Sequence, residues 1–151
     1  MTYIAVRNDV RGHGIARGLV EATLRTIRAS DAARFVLLAE TENPARIDEP
    51  TERAVAEDRL RVLDRLGLLR LSIDYVQPPL GPGKRALDDL LLLCYAPTEA
   101  SNEISGEQLS RFLREFYAAL GHPDSQDLVR MLDALAKLPV VIPSRLVQLP
   151  K

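Results

Sequence analysis

Residues 3–18 read Tyr3-Ile4-Ala5-Val6, Arg7-Asn8-Asp9-Val10, Arg11-Gly12-His13-Gly14-Ile15-Ala16-Arg17-Gly18. A short apolar run leads through a polar turn into a Gly-rich entry to a helix. Such a junction suits a phosphate. The first helical turn has backbone N–H groups with no intrahelical partner, and the helix dipole puts partial positive charge there. Glycines let the backbone approach an anion without a Cβ in the way. Arg11 and Arg17 add charge on either side.

Three phosphate ligands compete. A P-loop needs Lys-Ser or Lys-Thr after its glycines, and neither is present. A dinucleotide turn needs Gly-x-Gly-x-x-Gly directly after a strand. Here Gly12, Gly14 and Gly18 form a loose variant, set back from the apolar run by residues 7–11, although Glu40 is placed to be the ribose-binding acid. The third reading fits the spacing better: Arg11, Gly14 and Ala16 match Gln/Arg-x-x-Gly-x-Gly/Ala. This resembles the acyl-CoA-binding motif of the GNAT (GCN5-related) N-acetyltransferase superfamily. A plain Gly-rich loop with surface arginines is the alternative that involves no ligand.

Outward from this stretch, periodicity sets the expected elements. Residues 3–6 are the first strand. Residues 15–29 form a helix with Ile15, Leu19, Val20, Leu24 and Ile27 on its apolar face. Residues 35–39 are an apolar run suited to a buried strand, so strand, helix and strand make a right-handed crossover with two parallel strands. Residues 40–50 are a loop, and Thr51 caps a helix that stops at Gly67. Residues 69–75 alternate as a half-buried strand. Residues 76–86 are a Pro- and Gly-rich loop, and residues 90–95 an apolar strand that pairs back as a hairpin. Past Pro97 two amphipathic stripes follow. The first has Leu109, Phe112, Leu113, Phe116, Tyr117 and Leu120, opened by Ser105 with Gln108 as a capping box. The second has Leu128, Met131, Leu132, Leu135 and Leu138. The expected class is α/β: a partial GNAT-like mixed sheet (strand-helix-strand-helix-strand-strand) over residues 1–97, with a helical hairpin and tail over 98–151 packed on it.

Further matches extend the resemblance over residues 3–95. Leu63-Asp64-Arg65-Leu66-Gly67-Leu68 is similar to the family's Tyr-x-x-Leu-Gly-Phe stretch, and Asn43 falls where the family often has an Asn. The resemblance implies that Ile4, Ala5 and Val6 lie along pantetheine and that the Val6 N–H polarises the thioester carbonyl. It implies that the backbone of Gly12, His13, Gly14, Ile15, Ala16 and Arg17, with Arg11, holds the pyrophosphate, and that Asn43 meets the pantetheine or shapes its loop. The family transfers acetyl from acetyl-CoA by direct attack of an amine, which needs a base and an acid. The usual tyrosine acid aligns with Leu63 and the usual glutamate base falls near Leu38, so Glu40 and Tyr75 stand in as the catalytic candidates. Glu42 reads as a solvated acid, His13 as part of the phosphate loop and His122 as structural.

The motif begins so early that the strands preceding it in the family are absent from this sequence. The expectation is a fragment, a start codon internal to a longer frame, or a chain whose exposed strand at residues 3–6 is completed by a second copy or a partner. A non-catalytic CoA-binding or interaction module is the main alternative to an enzyme, and a dinucleotide-binding oxidoreductase fragment the weaker one.

Bulk properties narrow the class. The 151 residues make about one domain, and 46% hydrophobic content supplies a core. A net charge of −1 gives no field for nucleic acid or an anionic membrane. Cys94 is the only cysteine, which excludes an internal disulfide or a cysteine-based zinc site, and no metal site is expected. No apolar run is long enough to span a membrane, and the charged Arg7-Asn8-Asp9 arrives too early for the N-terminal residues to read as a signal peptide. These readings make a cytoplasmic protein the expectation, and the resemblance implies a small-molecule or protein amine as acceptor.

Overall fold

Six consecutive residues, Leu90–Tyr95 (β3), form the central strand of the sheet. In the computed structural model, which describes residues 4–29, 36–95, 104–138, 140–141, 144 and 146, Leu37–Glu42 (β1) pairs with one side of β3 and Leu69–Arg70 (β2) with the other. Both pairings are antiparallel, with Glu40 opposite Leu92 and Leu69 opposite Cys94. The chain divides into two compact units, residues 1–36 and 37–151. The division expected near residue 97 falls outside the described residues.

In the first unit a single 3-10 turn, Asn8–Val10, leads through Gly12 and Gly14 into helix Ile15–Ala29 (α1), as the periodicity predicts. The first strand does not form. Residues 4–6 are in no strand, and residue 3 lies outside the described residues. A strand needs a neighbour to take its N–H and C=O groups. The Val6 carbonyl instead accepts from Arg11 Nε at 3.0 Å within its own loop. The parallel crossover and the open edge expected at residues 3–6 are therefore absent among the described residues, and the small sheet is antiparallel throughout.

In the second unit β1 runs three residues further than expected, so Glu40 and Glu42 lie in a strand rather than a loop. Helix Pro50–Arg65 (α2) is capped by Glu49, not Thr51: the Glu49 carboxylate accepts from the N–H groups of Thr51 and Glu52, and Pro50 takes the first helical position. Gly67, at φ 88°, ends it in the left-handed conformation that glycine tolerates. Leu60 and Leu68 pack with Leu91 and Leu93, and Ala39, Leu63 and Leu66 adjoin them.

Beyond Arg70 the strand expected over 69–75 gives way. Leu71 N still donates to Leu92 O at 3.0 Å, then the chain leaves the ladder. Tyr75 and Val76 are neighbours and both are 3% exposed, which an alternating half-buried strand does not allow. The chain returns as an isolated bridge between Gln77 and Leu87, closing the Pro- and Gly-rich loop.

Ile104–Ser105 (β4) and Val140–Val141 (β5) pair around helices Gly106–Ala119 (α3) and Gln126–Ala136 (α4). Ser105 Oγ caps α3 by accepting from Glu107 N at 3.2 Å. Leu109, Leu113 and Tyr117 of α3 and Leu128, Met131 and Leu135 of α4 are buried, which are the faces the two stripes predict.

Candidate functional site

The phosphate-loop candidates lie in the first unit. Gly12 and Gly14 have φ of 85° and 76°, conformations that side chains with a Cβ rarely adopt. A Cβ at either would meet nothing within 4 Å, so backbone conformation and not crowding requires glycine, and the loop's surface is open. Gly18 N donates to Gly14 O at 3.0 Å, the first bond of the helix. Among the described residues the N–H groups of residues 12–17 have no backbone acceptor, and the first turn of α1 contains no acidic residue. His13 turns its Nδ1 back toward the carbonyls of Arg11, at 3.0 Å, and Val10, at 3.3 Å, which stiffens the loop. Arg11 spends Nε on Val6 O, while Arg17 is exposed on the first turn and Ala16 is half-buried. Ile4 and Ile15 are 52% and 41% exposed, Ala5 is exposed and Val6 half-buried. Unpaired N–H donors, a helix start without acids and two arginines form a donor set that suits a pyrophosphate.

The second unit brings the two catalytic candidates together. The Tyr75 hydroxyl donates to Glu40 Oε1, and Gln77 Nε2 donates to Glu40 Oε2 at 2.6 Å. Glu40 reaches them from alternate positions to Ala39, whose side chain joins the core under α2. Burial, reinforced by the Glu40 carboxylate, pushes the Tyr75 phenol far above its ordinary range. Tyr75 therefore keeps its proton, which it places in the hydrogen bond to Glu40. Behind the cluster, Tyr117 of α3 donates to Val76 O at 2.8 Å. Burial, with Asp127 nearby, raises the Tyr117 phenol to about 12.

Asn43 serves its own loop: its side-chain oxygen accepts from Ala45 N at 3.1 Å, and its backbone N–H donates to Asp89 O at 2.8 Å. It also lines an open groove of about 440 Å³, together with Arg53, Leu60, Arg70 and Leu91. Glu42 pairs with Arg59 on the surface. Cys94 is fully buried, and burial raises its thiol to about 11, so it is an inert packing residue.

Gln77 and Tyr117 are the members of the cluster that the sequence reading missed. Gln77 sits before two prolines in what reads as a loop, and Tyr117 reads as one more position of an apolar stripe.

Among the described residues no group of three His, Cys, Asp or Glu side chains could hold a metal ion, and no helix is long and apolar enough to cross a membrane. No family model, curated protein or solved structure matches the chain.

Proposed function

We propose that the chain is an acyl-CoA-dependent N-acyltransferase of GNAT type, moving an acetyl group from acetyl-CoA to a small-molecule or protein amine in the cytoplasm. The observation that carries this reading is the 12–17 loop: two left-handed glycines, and six N–H groups with no backbone acceptor among the described residues, leading into a helix with no acid in its first turn. That donor set complements the pyrophosphate of CoA, and Arg11 and Arg17 add charge. In this reading Ile4 and Ala5 follow the pantetheine, the Val6 N–H polarises the thioester carbonyl, and Asn43 shapes its own loop.

Glu40 and Tyr75 supply the proton chemistry. Glu40 takes a proton from the attacking ammonium. The amine nitrogen forms its bond to the carbonyl carbon, and the C–S bond breaks. The thiolate takes the Tyr75 proton, Tyr75 is restored by the proton now on Glu40, and the extra proton left on the new amide nitrogen passes to the freed Glu40 carboxylate and on to solvent. The Tyr75–Glu40 hydrogen bond makes this a relay, so the buried phenol never has to remain ionised. Release of free thiol from acetyl-CoA over a panel of amines tests this. Glu40→Gln is expected to lower kcat about 100-fold or more; unchanged turnover by Glu40→Gln would remove the relay.

A non-catalytic CoA-binding module is the second reading. The observation favouring it is that Tyr75 is 3% exposed and both Glu40 oxygens are engaged inside the protein. CoA binding with no turnover of any amine supports it over the enzyme.

A further inference from the structure

Gln77 is held on every side that the backbone offers. Its N–H donates to Leu87 O at 2.8 Å, and its carbonyl accepts from Leu87 N at 3.0 Å. Pro78 follows, which biases the backbone of Gln77 to extended conformations. The preceding carbonyl, that of Val76, takes the hydroxyl of Tyr117, itself 1% exposed. From this fixed backbone the Gln77 side chain, 5% exposed in all, reaches Glu40. The orientation of the amide follows from chemistry. A carboxylate only accepts, so the nitrogen and not the oxygen of the amide must face it.

Two donors on two different oxygens define the plane of the Glu40 carboxylate. One donor alone would leave it free to swing about that contact. Each oxygen keeps a second lone pair, so the clamp orients the group without exhausting its capacity to accept a proton. A buried amide used as filler would not need to meet a charge, and an apolar side chain would fill that volume at lower desolvation cost.

We propose that Gln77 is a positioning residue for Glu40, and that Tyr117 of α3 keeps Gln77 in place through the Val76 carbonyl. This gives the C-terminal helices a role in the site, and it rests on the acyl-transfer reading. Gln77 and Tyr117 act through Glu40, so their loss lowers the rate of the chemical step and leaves acyl-CoA binding alone.

Steady-state kinetics on the full chain test the proposal. With Gln77→Met, kcat is expected to fall at least tenfold while KM for acetyl-CoA stays within about twofold, as for loss of a hydrogen bond to a charged group. Tyr117→Phe, which removes one oxygen atom, is expected to show the same pattern with a smaller fall, and it carries the test if Gln77→Met does not fold. A wild-type chain that turns over, with kcat unchanged in both variants, overturns the positioning role and leaves acyl transfer standing. A rise in KM matching the fall in kcat also overturns it, since that marks general loosening. No turnover by the wild-type chain overturns the acyl-transfer reading, and the positioning role with it.

Discussion

At the scale of single residues, burial beside a carboxylate decides what Tyr75 and Tyr117 can do. Both phenols are pushed above their ordinary value, Tyr117 to about 12, with burial the first cause in each case. The folded state thus holds these protons more tightly than the unfolded chain does. The stability this contributes is fully present below the ordinary phenol value of 10.0 and is lost as the pH rises toward about 12. Chemical denaturation at a series of alkaline pH values is expected to show that fall, and Tyr117→Phe to make it shallower; an equal fall in the variant contradicts the assignment. Much of the residue scale was legible. Gly12 and Gly14 announce their left-handed backbone by being glycines beside a helix start. Glu40 and Tyr75, 35 residues apart and both named as candidates from the resemblance, share a hydrogen bond. Gln77 was not legible, because a neutral amide carries no pattern until the fold puts it against a charge.

Elements were legible in kind and less so in their ends. Helical periodicity located α1, α3 and α4, since burial of one face leaves its mark every three or four residues. The cap of α2 was misplaced because Pro50 at the first helical position moves the capping role back to Glu49. The two N–H groups it accepts from pull the Glu49 carboxyl below its ordinary value. Its contribution is present above the ordinary carboxylate range and lost as the pH falls through the lowered value. Thermal melts are expected to separate Glu49→Gln from the wild type at neutral pH and to converge in acid; a gap that widens in acid contradicts this cap. Where α3 begins, Gly106 lies against the end of α4: a Cβ there would meet the Leu138 carbonyl oxygen, with the Leu135 carbonyl oxygen 3.3 Å away. Backbone cannot step aside as a side-chain tip can, so Gly106→Ala is expected to cost about 1–3 kcal/mol by urea denaturation. An unchanged midpoint would show that the helices can spread freely.

For the whole molecule, the hairpin expected between residues 69–75 and 90–95 is present as the antiparallel pairing of β2 with β3, whereas the partner of β1 was not legible. The apolar run at residues 35–39 suits a parallel strand covered on both faces, but β1 pairs instead with β3 in an antiparallel sheet, where β3 is central and its Leu91 and Leu93 pack in the core formed with α2. Pairing joins residues far apart in the chain, and no local period records it. Leu93 is fully buried, and Leu93→Ala is expected to cost about 2–5 kcal/mol; a loss below about 1 kcal/mol would place Leu93 outside the core. The N-terminal unit holds the loop on which the functional reading rests, and ligand binding addresses it without assuming turnover. Titration calorimetry of the whole chain with CoA, acetyl-CoA and NADH is the most direct measurement. The account predicts saturable binding of CoA and acetyl-CoA, none of NADH, and at least tenfold weaker CoA binding by a folded Gly14→Val variant, whose branched side chain disfavours the left-handed backbone at that position. No heat of binding with CoA, or equal affinity in the variant, would contradict the central claim.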